Sequence, residues 1–187
     1  MTTVTTYSLA ARMIHWAMAL LLISLLFAGL AMVQSLEPWH LTLLSLHKSF
    51  GVLALVLAII RLVLRIVQQQ PDLPASVPHW QQRIAQLSHF FLYAAMFAMP
   101  LSGYLMQSAA GRPVSVFGLF TLPNITSVNM ELYGFLREMH GLIAWGLILL
   151  VLVHMGAALH HGLIKRDGVL ESMTGRPFPK AEKPKDE

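Results

Sequence analysis

Four long apolar segments restrict the folds that this chain can adopt. They cover residues 13–34, 43–66, 84–107 and 136–163, and each exceeds the roughly 20 residues that a helix needs to cross a bilayer core. Composition agrees, because 56% of the residues are hydrophobic and 12% are charged, against about 25% charged in a soluble domain. We therefore predict an all-α membrane protein with four transmembrane helices. The first segment is too long for the core of a signal peptide, so we expect it to be retained.

Lysine and arginine divide unevenly between the two ends of such a bundle. Of the 13 present, only Lys48, Arg112 and Arg137 fall on the side of the first and third connections. The others lie near the N-terminus, around the second connection and in the tail. By the positive-inside rule, both termini are then cytoplasmic. This predicts an up-down-up-down four-helix bundle, with residues 1–176 as one transmembrane domain and residues 177–187 as a charged cytoplasmic tail.

The third connection, residues 108–135, is unusually apolar for a loop. Its apolar side chains include Val114, Val116, Phe117 and Phe120. We expect this connection to lie along the outer membrane interface as a cap. The alternative is a plain tether between two helices.

Two histidines, His140 and His154, lie fourteen residues apart in the fourth segment. At about 100° and 1.5 Å per residue, they share one helix face and are separated by about 21 Å. Metal-ligating imidazoles at two depths in a membrane are costly without a bound group, so the pattern favours two haem sites. The chain has no cysteine, which excludes disulfides, iron–sulfur clusters and covalently attached haem. Any haem is therefore b-type and non-covalently held.

Depth in the predicted bundle gives each of these histidines a partner on another helix. His47 lies near the outer end, level with His140, and His15 lies near the inner end, level with His154. We predict that these four residues ligate two irons as bis-histidine pairs, because neutral imidazole is both the ligating form and the cheaper form to bury. His89 is the alternative partner of His154, or else lies near a propionate or a quinone. A hydrogen-bonded buried histidine is the alternative for any single position.

Further positions share the histidine-bearing faces. Arg61 lies fourteen residues after His47 and is interpreted as a partner of a haem propionate or as a positive-inside anchor. Gly51, one turn after His47, leaves room for a flat macrocycle. His161 repeats the phase of His154, so it is either a proton-handling residue beside a quinone or a plain interfacial histidine. We expect His40 and His79 to lie in connections.

Local strings along the chain resemble the bacterial cytochrome b561 family of di-haem inner-membrane proteins. The resemblance covers about residues 7–176. It is carried by Ile14-His15-Trp16, His47-Lys48-Ser49-Phe50-Gly51, Arg61-Leu62-Val63-Leu64-Arg65, Leu87-Ser88-His89, Pro100-Leu101-Ser102-Gly103-Tyr104, Gly111-Arg112-Pro113, His140-Gly141 and His154.

The resemblance implies haem ligation by His15, His47, His140 and His154. It also implies electron exchange between a periplasmic donor and ubiquinone in the bacterial inner membrane, and one branch of the family oxidises superoxide. In an ungapped alignment from His154, His161 corresponds to the first histidine of a terminal pair in the family, and Gly162 corresponds to the second. That departure puts a role for His160 in doubt.

The expected function is thus that of a membrane oxidoreductase similar to superoxide:ubiquinone oxidoreductases. Lys48, Arg112 and Arg137 at the outer mouth are candidates for steering an anionic donor, with propionate pairing or plain solvation as alternatives. A second interpretation is a membrane-anchor cytochrome b subunit that relays electrons for a periplasmic redox partner or dehydrogenase. A third is a haem-free channel or metal transporter. The expected partners include the lipid bilayer and no nucleic acid.

Overall fold

Four long helices form the body of the molecule. The computed structural model describes residues 6–34, 37–71, 74 and 77–175. The helices are α1 (Leu9–Gln34), α2 (Trp39–Val67), α3 (His79–Ala109) and α4 (Met130–Leu159). Within those ranges they are the four helices long and apolar enough to cross a membrane, so the predicted spans are confirmed. The predicted tail, residues 177–187, lies outside the described residues.

Each helix begins several residues before the apolar segment that predicted it. The expectation that His40 and His79 lie in connections was wrong, because they occupy the first turns of α2 and α3. Polar residues can extend a helix beyond its apolar part, since the backbone hydrogen bonds do not depend on the side chain. At the start of α4 the Asn129 side chain accepts a hydrogen bond from the Leu132 amide at 2.9 Å, which caps the helix.

The helices pack through small side chains and one central cluster. Met18 of α1, Ala58 of α2 and Met96 of α3 form that cluster. Large apolar side chains face outward instead, as in Leu20 and Phe27, which are 71% and 70% exposed. Close packing at small residues inside an apolar outer surface is typical of a bundle surrounded by lipid.

A small β-hairpin lies in the third connection and packs on α2. Strands β1 (Val114–Val116) and β2 (Phe120–Leu122) pair antiparallel. The buried Ser49 hydroxyl lies 3.2 Å from the Ser115 carbonyl oxygen and accepts from the Phe117 amide at 3.0 Å. The connection is therefore a folded cap on the bundle rather than a plain tether. We call this end of the bundle the hairpin end.

The opposite end, here the terminal end, contains the start of α1 and the last described residues. After α4 the chain forms a π-helical turn, His160–Lys165, and a short helix α5, Val169–Thr174. The Tyr7 amide donates to the Ser172 carbonyl at 3.0 Å, so α5 folds back onto the start of α1.

Arg12 and Gly175 complete this contact. Gly175 has a φ of 79°, and a Cβ built on it would lie 1.2 Å from Arg12 Nη1. The positive φ therefore favours glycine at this position, and the Arg12 guanidinium occupies the space where a side chain would lie. The contact holds the beginning of α1, which carries His15, against the end of the described chain.

Candidate functional site

The helices bring five histidines into two separate groups. At the hairpin end, the ring centres of His47 and His140 lie 6.4 Å apart. Towards the terminal end, the ring of His154 lies 6.3 Å from that of His15 and 5.5 Å from that of His89. Both pairings expected from depth along the helices, His47 with His140 and His15 with His154, are therefore in contact range, and His89 joins the second group.

Ring separation distinguishes the possible ligand pairs. A metal bound by two opposed imidazole nitrogens at about 2 Å each holds the ring centres roughly 6.4 Å apart. The His47–His140 and His15–His154 separations match that spacing, whereas the 5.5 Å between His89 and His154 is too short for it. Geometry therefore favours His15 over His89 as the partner of His154.

The two groups suit a metal already held in a macrocycle. Among the described residues, no three His, Cys, Asp or Glu side chains converge closely enough to hold a bare metal ion. An iron bound by four pyrrole nitrogens needs only two axial ligands from the protein. Two facing imidazoles provide that donor set.

An open cleft lies beside His47 and His140. Its cavity volume is about 100 Å³, and Gly51 lies in its wall. A Cβ built on Gly51 would meet no atom within 4 Å, and one built on Gly29 would stop 3.8 Å from His47 Cε1. Gly51 therefore borders open space in the cleft that His47 lines, whereas Gly29 packs directly against the His47 ring.

Two polar atoms at this cleft have no hydrogen-bond partner in the described part of the chain. They are His47 Nδ1 and Gln107 Oε1, both buried. A buried polar atom without a partner costs about 1–3 kcal/mol, so such atoms are rare unless a further group completes them. Their position beside the glycine-lined space fits a site built to receive a ligand.

Arg61 lies in the second histidine group, and Tyr93 of α3 holds it there. Arg61 Nε donates to the Tyr93 hydroxyl at 3.2 Å, and Arg65 Cζ lies 5.7 Å from the Tyr93 ring centre. Neither arginine forms an ion pair with a carboxylate of the described residues. This part of the bundle therefore presents paired cationic groups suited to an anion.

The three cations expected at the outer mouth are not gathered together. Lys48 is half-buried and lines the cleft beside His47. Arg112 is exposed and instead places its Cζ 5.9 Å from the centre of the Tyr133 ring. Arg137 is exposed as well, and neither arginine lines the cleft.

His161 pairs with a carboxylate at the terminal end. Its Nδ1 lies 2.6 Å from Asp167 Oδ2, and Asp167 Oδ1 accepts from the Val169 amide at 3.3 Å. The π-helical turn and the left-handed Arg166, with a φ of 50°, bring the two side chains together. π-Turns of this kind are frequent at functional sites.

Packing against α5 explains why residue 162 is a glycine in this chain. A Cβ built on it would lie 2.3 Å from Leu170 Cδ2 and 2.9 Å from Leu170 Cβ. A histidine at residue 162 would therefore displace α5. His160 is exposed, with its ring centre 5.9 Å from that of His161.

A family model described as prokaryotic cytochrome b561 matches residues 6–176. The chain belongs to the prokaryotic cytochrome b561 family. Membership makes it a membrane electron-transfer protein that binds b-type haem. The resemblance found in the sequence is thus confirmed.

Curated relatives of this cytochrome b561 family member match it over most of their length. It is 31% identical over 172 residues to "Cytochrome b561 homolog 2" of Escherichia coli, which covers 91% of this chain and 92% of that protein. It is 28% identical over 172 residues to "Cytochrome b561 homolog 1" of the same organism, covering 87% and 93%. A third relative, "Probable superoxide oxidase CybB" of Yersinia pestis, is 27% identical over 165 residues, covering 86% and 91%.

Sequence reasoning missed several side chains at the sites of this cytochrome. Ser102 and Gln107 of α3 are buried beside His140 and in the hairpin-end cleft. Tyr93 supports Arg61, and Asp167 pairs with His161. Polar residues inside an apolar helix are the signal that could have singled out Ser102, Gln107 and Tyr93.

Proposed function

We propose that the protein is a di-haem b-type membrane cytochrome that transfers electrons between a periplasmic donor and ubiquinone. The observation that carries this proposal is the presence of two facing imidazole pairs, His47 with His140 and His15 with His154, at 6.4 and 6.3 Å between ring centres. When bound, haem supplies reversible one-electron chemistry at each of these places.

The four histidines would hold the two haems. His47 and His140 form the outer site, and His15 and His154 form the inner site. His89 would line the inner site beside His154, from which its ring centre lies 5.5 Å, against 6.3 Å for His15. Gly51 leaves room beside the outer pair.

We further propose an up-down-up-down arrangement with both termini in the cytoplasm. The uneven distribution of lysine and arginine supports this orientation. The hairpin end then faces the periplasm, and the terminal end faces the cytoplasm. The inner site consequently lies on the side from which cytoplasmic protons reach a quinone.

Arg61 would bind a propionate of the inner haem. Its guanidinium has no carboxylate partner among the described residues and is oriented by the Tyr93 hydroxyl of α3, the helix that also carries His89. Arg65 adds a second positive charge beside the same tyrosine ring. A charge-assisted hydrogen bond with a carboxylate would offset the cost of placing an arginine at this depth in the membrane.

On the donor side, Lys48 is the cation best placed to attract an anion. It lines the outer cleft beside His47, so its charge acts at the site where electrons would enter. Arg112 and Arg137 would contribute only to the general field of the hairpin end. We propose superoxide as the donor, which the similarity to the probable superoxide oxidase of Yersinia pestis supports.

On the acceptor side, the His161–Asp167 pair would handle protons for quinone reduction. A quinone takes up two electrons and two protons to become a quinol, so its site needs a proton-carrying group. Asp167 orients the His161 ring at 2.6 Å, which leaves the other ring nitrogen for a quinone oxygen.

The test uses the purified full-length chain in proteoliposomes containing ubiquinone. Superoxide supplied from outside is expected to reduce the b-type absorption bands and to produce ubiquinol. The rate should fall as ionic strength rises, because Lys48 attracts the anion. Absence of superoxide-driven reduction, together with salt-sensitive co-purification of a periplasmic redox protein, would favour the membrane-anchor subunit instead.

A further inference from the structure

The side chain of Ser102 joins the His140 ring to the backbone of α3. Ser102 is buried, and its hydroxyl donates to the Met99 carbonyl at 3.0 Å. The same oxygen lies 3.0 Å from His140 Nδ1. Among the described residues, this is the hydrogen bond that connects an imidazole of the outer pair to a neighbouring side chain.

The direction of this hydrogen bond fixes the protonation of the ring. A serine hydroxyl has one hydrogen, and the Met99 carbonyl can only accept it. With that hydrogen on the carbonyl, His140 Nδ1 carries the ring proton and donates to Ser102. The lone pair available to a metal is therefore on Nε2.

Gly103 allows the ring to take this position. A Cβ built on Gly103 would lie 3.2 Å from His140 Cε1 and 3.5 Å from His140 Nδ1. The edge of the His140 ring thus rests directly on the α3 backbone. Ser102 and Gly103 together restrict both the rotation of the ring and its tautomer.

His47 differs from His140 in this respect. Its Nδ1 is buried and has no hydrogen-bond partner in the described part of the chain. The two facing imidazoles are therefore unequal, because one is supported by a hydrogen bond and the other is not. A histidine ligand that donates its second N–H becomes more basic and donates more strongly to a metal.

We propose that Ser102 is a positioning residue for the outer haem, holding His140 with Nε2 directed to the iron and lowering the midpoint potential of that haem. This inference rests on the proposed function, since it assumes an outer haem bound by His140. A stronger donor favours ferric over ferrous iron, so the hydrogen bond shifts the equilibrium towards the oxidised form.

The experiment is a potentiometric titration of the haem absorption bands of the full-length protein. Ser102→Ala is expected to raise the midpoint potential of the outer haem. The ratio of reduced to oxidised outer haem should increase about tenfold at a given potential, which corresponds to about 59 mV for one electron. Ser102→Thr keeps the hydroxyl and should restore the wild-type value. The inner haem is the internal control, and its potential should not move. The outer component is identified as the one missing from the His47→Ala protein.

Each outcome decides the inference. An Ser102→Ala protein that keeps both haems and both wild-type potentials would overturn it, while the proposed function would stand. If the Ser102→Ala protein loses the outer haem, the Ser102→Cys protein is titrated instead of it. Sulfur is a weaker acceptor than a hydroxyl oxygen, so the outer midpoint potential should again lie above the wild-type value. Equal outer potentials in the cysteine, threonine and wild-type proteins would then overturn the inference. A wild-type protein without b-type bands would overturn the proposed function as well.

Discussion

The imidazole rings of His47 on α2 and His140 on α4 lie 6.4 Å apart between centres, with their planes at 75°. The His15 and His154 rings lie 6.3 Å apart at 57°, nearer the terminal end. The two pairs share helix α4 and no other helix. A substitution in one pair should therefore affect one site and spare the other.

Replacing His47 or His140 by alanine should remove the outer haem alone. Each substitution deletes one of two axial ligands, and the inner pair lies elsewhere on the bundle. The expected result is half of the wild-type haem per chain, measured by haem extraction against protein concentration. His79→Ala removes an exposed histidine at the start of α3 and should leave the haem content unchanged. Retention of both haems in either ligand variant would refute the pairing.

Two substitutions at the inner site test whether His15 or His89 is the partner of His154. We expect His15→Ala to lose the inner haem, because the His15–His154 separation fits a shared iron. His89→Ala should keep both haems and change only the spectrum or potential of the inner one. The measurement is the haem content with the low-temperature difference spectrum of both variants. The opposite pattern would make His89 the ligand.

Much of this site could be predicted from the sequence because helix periodicity and membrane depth are simple functions of residue number. The fourteen-residue interval between His140 and His154 gave both the shared face and the two levels. Ser102 and Tyr93 could not be assigned in the same way, since their contacts depend on how α3 is rotated against α2 and α4. The hairpin depends on the Ser49 hydroxyl and on two residues with positive φ, Phe117 and Gly118, which periodicity does not reveal.

Arg61→Gln should lower the midpoint potential of the inner haem. A positive charge nearby stabilises the reduced haem, which has gained an electron. Removing the charge is expected to make reduction of the inner haem less favourable by on the order of 1 kcal/mol at this partly buried position. Arg61→Lys keeps the charge and should retain most of the wild-type potential. Potentiometric titration measures both. An unchanged potential in Arg61→Gln would place the guanidinium away from the haem.

Asp167→Asn should slow quinone reduction without affecting haem binding. The asparagine removes the charge that orients His161 but keeps an oxygen for the Val169 amide. We expect roughly a tenfold loss in the rate of quinol formation, while donor-driven reduction of the haem bands stays fast. His160→Gln, at the exposed neighbouring histidine, is the matched control. Equal losses in both steps would indicate a structural role for Asp167 instead.

The haem content of the purified chain tests the central claim most directly. The pyridine haemochrome spectrum identifies the haem type, and its absorbance divided by protein concentration gives the number of haems per chain. Two facing histidine pairs predict two haem b groups per chain. One haem per chain, or a spectrum without a b-type α-band, would contradict the proposal that His47 with His140 and His15 with His154 form two haem sites.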